Sequence, residues 1–419
     1  MTQENKQKYD LKLKRIRDAI ALKETDQIPM TPPAELFPIL NAGYTVAEVI
    51  YDTTLKKFEN SVVKYLNDFD PDSGIGLGFV YAGEGPAMEI SRPKNMRWAG
   101  MPGKIIDDNS IQQFIEFPLL LDDEFEEFFS DRTGWELRKS IPRSSGLLEP
   151  LSKLSTGGGM LGGARQMAAQ FSTPEFRAMI KDLWALNDFY ENYQKRINEI
   201  TSLVEDMGYP MLSGGMAAVP FDMYSDGLRG TILSLQDLYD NTEYVEKYIE
   251  EAFERQIAML KAGAEVNKGK HVFMALHKGM DGFMSDEHYR KYYWKHLQQI
   301  ILTIIEVGKV PYIYTEGKYN SRLDCLSEVP PGKVFYHFEE VNMANAKKKL
   351  GGIACISGGF STNLLQFGTK QQVIDECKRL IDICAPGGGF IFETSSGLSH
   401  VKRENVEAMF ETVREYGKK

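Results

Sequence analysis

Cysteine is scarce in this chain: Cys325, Cys355, Cys377 and Cys384 are the four among 419 residues. They are too few and too irregularly spaced for a disulfide framework or a zinc ribbon, so each is expected to pack as a core residue. Basic charge is short as well. Lys and Arg total 49 against 59 Asp and Glu, for a formal net charge of −10 and a pI near 5.3. That balance argues against the clustered cationic face of a nucleic-acid-binding protein. No apolar run reaches membrane-spanning length, and the opening MTQENKQKYD is polar. No membrane span or signal segment is therefore expected, and the expected compartment is a reducing cytoplasm. The Gly-rich run at 156–163 (TGGGMLGG) lacks the Lys-Ser/Thr ending of a phosphate loop and the G-x-G-x-x-G spacing, so it reads as a loop between helices.

What is present centres on 310–316 (VPYIYTE), followed at once by Gly317. It reads as a short buried strand that ends on a carboxylate, the pattern of a functional group delivered to the C-terminal mouth of a barrel. Seven further strand candidates share its character: 28–30, 76–82, 209–216, 271–277, 333–339, 353–358 and 389–395. Several are continuously apolar, as parallel strands covered on both faces are. Helical periodicity is read at 5–24, 45–67, 122–129, 174–207, 225–267 (a pair), 286–308, 342–350, 371–385 and 403–416. Eight strands with right-handed helical crossovers predict a (β/α)8 TIM barrel over 1–419, with 83–207 as a loop and helical excursion within it. A doubly wound sheet would want a Gly-rich turn after the first strand, and Met30-Thr31-Pro32-Pro33 is not one. Residues 83–118, with Trp98, Phe114 and Phe117, read as an ordered lid or a substrate-facing excursion.

Side chains alternate along a strand, so Tyr312, Tyr314 and Glu316 share one face, as do Phe335, His337 and Glu339 on the next strand. Glu316 and His337 are expected to meet, either as a tuned general acid with its partner or as a pair of metal ligands. Further candidates at strand ends are His277, Lys278 and Asp281, then Asp222, Ser357, Glu393, Ser395 and Ser396; Glu393 reads equally as half of a buried salt bridge. Phe79, Tyr81, Phe221, Met223 and Tyr312 are candidates for the wall of an apolar or aromatic ligand site. His271, His288 and His400 read as structural.

Ordered fragments carry a family likeness: Arg17-Asp18-Ala19-Ile20 to Asp26-Gln27-Ile28-Pro29, then Pro220-Phe221 with Asn241-Thr242-Glu243-Tyr244-Val245, then 308–317. The segment from Gly351-Gly352 to Ser357-Gly358-Gly359 follows, and 387–409 with Glu404-Asn405-Val406 ends the series. In this order they resemble the uroporphyrinogen decarboxylase superfamily, which implies a (β/α)8 barrel. The decarboxylase itself carries Arg after its first strand, where this chain reads Met30-Thr31-Pro32-Pro33-Ala34-Glu35. The chain looks more like the methyltransferase branch, whose members move a methyl group to or from a corrinoid protein.

In thiol-methylating members of that branch the resemblance implies zinc on His-x-Cys-Gly and a later Cys. Here those positions read Tyr314-Thr315-Glu316-Gly317 and a place near Ser396, which lack the thiolates of a thiol-activating zinc. The O-demethylase members are similar in having a Glu and a His separated as Glu316 and His337 are; their upstream Glu falls at Ile301. A zinc on Glu316 and His337 would then draw a third ligand such as Glu339 or His277. The resemblance implies a cytoplasmic enzyme that moves a methyl group from an aryl methyl ether to the cob(I)alamin of a separate corrinoid-binding protein. Tyr81, Asp222, Phe221, Tyr312, Tyr314 and Glu393 are expected at the substrate, and Glu316, His337, His277 and Asp281 in catalysis. Without a metal, a protonated Glu316 would serve directly. The alternatives are a methylcorrinoid-to-thiol methyltransferase, a decarboxylase and a non-catalytic binding barrel; a homodimer is one option for the assembly.

Overall fold

The computed structural model describes residues 1–75, 80–155, 162–264, 266 and 269–418. Five parallel strands form a sheet in chain order: β1 (Ser213–Met216), β2 (His271–Leu276), β3 (Val310–Lys318), β4 (Phe335–Glu340) and β5 (Cys355–Gly358). Single parallel bridges extend it, from Ile356 to Phe390 and from Phe360 to Thr394, then from Phe392 to Met30. The Asp72 N–H donates to the Met30 carbonyl at 2.8 Å, and the Gly74 N–H donates to Pro210 at 3.0 Å, just ahead of β1. The wall thus returns to its start after eight staves. This is the TIM barrel expected from the strand count, with helices outside it.

The alternation in β3 shows how the sequence builds the wall. Pro311, Ile313 and Thr315 are buried toward the helices, while Tyr312, Tyr314 and Glu316 face the lumen and keep partial exposure. Pro311 precedes the start of pairing with β4 at Tyr312 opposite Phe335, so its missing N–H falls before that ladder begins. At the far end the register slips between Thr315 and Lys318. Gly317 sits there at φ 77°, and a Cβ would lie 2.8 Å from the Met280 side chain. The bulge re-aims Glu316 at the rim. Below, the helix Gln3–Ile20 closes the lumen, with Ile16, Ala19 and Ile20 packed on Phe335, Cys355 and Ile391.

Three expectations need correction. The runs 28–30 and 389–395 form single bridges instead of strands: Ile391 donates to Ile356, Phe392 to Pro29 and Ser395 to Phe360. Pro29 has no N–H to return, which interrupts the ladder with the first stave. The helical pattern at 45–67 is two helices, Val46–Ile50 and Lys56–Phe69. Asp52 breaks it by accepting from the Thr54 N–H and hydroxyl and the Lys57 N–H, a local alternative to helical bonding. In the strand candidate at 76–82, residues 76–79 (Phe79 among them) lie outside the described residues, and 80–82 are not a strand. The Gly-rich run is likewise outside them through residue 161.

Between the second stave and β1 run the helix Gly85–Ser91, a two-residue hairpin (Met96–Arg97 with Gln113–Phe114) and the 33-residue helix Pro174–Asp206. Trp98 is buried and its indole N–H donates to the Tyr51 hydroxyl at 3.3 Å, whereas Phe114 is exposed. All four cysteines are buried and unpaired. Among the described residues no helix is long and apolar enough to cross a membrane.

Candidate active site

The polar layer inside the barrel is organised by Glu393. Its carboxylate accepts from the Thr31 hydroxyl at 2.6 Å and the Ser357 hydroxyl at 2.6 Å, and from Tyr312 at 3.2 Å and 3.4 Å. His337 Nδ1 lies 2.7 Å from Glu393, and its Nε2 is 3.2 Å from the Ser395 carbonyl. Both groups are buried, so Glu393 is the partner of His337. The expected meeting of Glu316 with His337 does not occur. Register explains this, because Tyr314 stands opposite His337 and the two rings stack at 4.0 Å and 8°. Glu316 lies two residues further along, on the bulge, at the level of Glu339.

A second cluster lies at the rim. After β1 the short helix Pro220–Tyr224 and the turn behind it bring Asp222 and Asp226, four residues apart, onto one side. Asp222 accepts the backbone N–H groups of His277 (3.0 Å) and Lys278 (2.9 Å) and the Tyr293 hydroxyl (2.6 Å). Burial pushes its carboxyl up to about 6. Asp226 pairs with His277 Nδ1 and, at 2.9 Å, with the Lys278 ammonium. The other imidazole nitrogen, Nε2, faces Glu316 at 3.7 Å. Asp226 is the main cause that raises His277 to about 9, with Asp222 and Glu316 adding to it. Burial raises the Glu316 carboxyl; His277 opposes this and Glu339 reinforces it. The rim therefore holds an imidazolium beside a carboxyl biased toward its protonated form.

This geometry fixes the sign of a titration. The His277 charge stabilises the fold below the ordinary imidazole value near 6.5, and that contribution is lost as the pH rises through about 9. Asp226→Asn should move the His277 midpoint down from about 9 toward or below 6.5, because the carboxylate is lost while burial remains. Ring-proton NMR against pH measures it, and an unmoved midpoint would show that Asp226 does not hold the charge.

The remaining candidates divide by location. Tyr312 stacks on Phe335 at 4.6 Å, and Tyr314 faces the mouth, where burial and the nearby Glu339, Glu393, Glu35 and Glu316 push its phenol up. Tyr81 is partly buried at φ 49°, near Glu84. Phe221 is no ligand wall: it is fully buried 6.4 Å from the Tyr224 ring, which leans on Tyr248 of the helix Thr242–Gly263. Asp222 likewise spends its acceptors on backbone and Tyr293 instead of reaching the lumen. Asp281 ties the loops after β2 and β3 together, accepting from Ser321 N–H and hydroxyl (2.7 Å) while its own N–H donates to Lys318. Asp226, Thr31 and Glu35 were not among the sequence candidates. The i, i+4 spacing of Asp222 and Asp226 after a strand was the available signal for the first.

Zinc on Glu316 and His337 does not suit these residues. Both ring nitrogens of His337 face other acceptors, Glu316 stands with His277, and no three His, Cys, Asp or Glu side chains among the described residues converge to hold a metal.

An eight-stave barrel with titratable side chains gathered at the C-terminal strand ends is the architecture of a TIM-barrel family with its site at the mouth. The family model for uroporphyrinogen decarboxylase (URO-D) matches residues 167–416, more than half of the chain, and the chain belongs to that family. Among solved structures it is similar to a methyltransferase from Methanosarcina mazei, at 14% identity and a TM-score of 0.57. That likeness covers 96% of this chain and 98% of the other, and it carries the fold. No curated protein sequence matches.

Proposed function

We propose that the chain is a methyltransferase that takes a methyl group from an aryl methyl ether and passes it to the cob(I)alamin of a separate corrinoid protein. The observation that carries the reading is the pair at the rim, a Glu316 carboxyl biased toward protonation beside the imidazolium of His277. An ether oxygen is a poor leaving group unless its developing charge is neutralised, and a positioned acid does this. The structurally similar protein from Methanosarcina mazei is a methyltransferase, which supports the same class.

The corrinoid partner supplies the nucleophile, which takes the methyl carbon. On the protein side, the C–O electron pair stays on oxygen, and that oxygen takes the proton from the Glu316 carboxyl. His277, held by Asp226, stabilises the carboxylate that results. Tyr314, backed by His337, offers an aromatic surface against which a ring can lie. The imidazole is 37% exposed and Glu316 47%, so solvent can restore the proton after each transfer.

The test mixes the purified protein, its reduced corrinoid partner and guaiacol or veratrole, and follows the corrinoid spectrum. A methyl–cobalt band is expected; its absence with every aryl ether tried would sink the proposal.

A further inference from the structure

We infer that the outer face of the helix Pro174–Asp206 is an interface between two copies of this chain, packed antiparallel about Trp184.

The inner side of this helix is settled by what it holds against the body. Met179, Ile200 and Val204 are buried, and the Tyr193 hydroxyl donates to Glu84 at 3.4 Å. At about 100° per residue these four side chains fall on the side opposite Trp184. Trp184 therefore points away from the barrel, and it is 70% exposed while Trp98, Trp135 and Trp294 are buried. An open indole in the middle of a long helix is the kind of apolar anchor that association covers.

The charges around it say what covers it. Arg177, Lys181, Trp184, Asp188 and Glu191 lie three or four residues apart and share the outer side. Two cations precede the indole and two carboxylates follow it. All four charged side chains are exposed, and among the described residues none has an ion-pair partner. Arg177 donates only to the Ser172 carbonyl, at 2.9 Å, and Glu191 accepts from the Asn187 amide at 3.1 Å. Within one helix this order is unfavourable, because Arg177 with Lys181 and Asp188 with Glu191 set like charges at neighbouring positions.

A second copy running the other way turns the same order into a match. With the two indoles facing each other, Arg177 stands opposite Glu191 and Lys181 opposite Asp188, and the two-fold axis repeats both pairs. The outer pair is about 10 Å from the centre, within the length over which nearly antiparallel helices stay in contact. Lys195 continues the stripe but stands opposite Thr173, so the matched stretch is 177–191. A parallel copy would set cation against cation, and a partner of uniform charge would match only half of the stripe.

Sedimentation of the full chain over about 1–100 μM, the range suited to a contact of this modest size, tests the interface. The parent should shift with concentration from 47.5 kDa toward twice that mass. Trp184→Glu should raise the dissociation constant at least about tenfold. Two charge variants give the sharper readout: Arg177→Glu with Lys181→Glu makes the stripe wholly acidic, and Asp188→Lys with Glu191→Lys makes it wholly basic. Each should be monomeric alone, and mixing the two should restore a dimer that holds one copy of each, with circular dichroism confirming that every variant is folded. A parent that stays at 47.5 kDa throughout would overturn the inference. So would a dimer indifferent to all three variants, or acidic and basic variants that fail to combine.

Discussion

Glu316→Gln should slow methyl transfer from an aryl ether by about 10²–10⁴-fold while leaving ether binding within a few-fold of the parent protein. The amide matches the carboxyl in shape and can still face His277 Nε2, but it has no acidic proton for the departing oxygen. The loss should therefore fall on kcat, the signature of an interaction made in the transition state. A pH profile adds a second readout. With burial raising the Glu316 carboxyl, the reactive protonated form persists above the ordinary carboxylate range. The parent rate should fall as the pH rises through that raised value, and a further change is expected near 9, where His277 loses its charge. Single-turnover measurement of methyl–cobalt formation separates this step from product release. A Gln variant with a rate close to the parent's would show that the proton comes from elsewhere.

Much of the frame was legible in residue order. The alternation in 310–316 put Tyr312, Tyr314 and Glu316 on one face, and the structure has them on the lumen side. What periodicity does not carry is level. It places Glu316 and His337 on facing surfaces, but only the register sets Tyr314 against His337, and the bulge at Gly317 moves Glu316 beyond reach. Partners distant in sequence were hidden for a related reason. Glu393 reaches His337 because the last stave closes on the first, and no local pattern encodes that seam. Phe221 failed differently, since an aromatic just after a strand packs outward on a helix as readily as inward on a ligand. Asp226 was missed because its role appears only once the backbone of 277 and 278 is seen anchored on Asp222.

Glu393→Ala should lower stability by about 3–5 kcal/mol, among the largest effects of any single change in the barrel interior. The carboxylate gathers groups from four staves: Thr31 from the first, Tyr312 of β3, His337 of β4 and Ser357 of β5, while Glu393 itself belongs to the last. Truncation leaves a fully buried imidazole and three hydroxyls without their acceptor, and an unsatisfied buried polar group costs more than the hydrogen bond was worth. It also opens a void where the first and last staves meet. In a chain of 419 residues a loss of about 4 kcal/mol corresponds to a fall of roughly 5 °C in Tm, so a denaturant midpoint is the more sensitive measure. A second substitution isolates the cause: adding His337→Leu to Glu393→Ala should recover part of the loss, because the orphaned imidazole is then gone. A single Ala variant as stable as the parent would mean that the hub does not hold the seam. If the double variant instead lost the sum of the two single effects, the penalty would lie in packing and not in the broken pair.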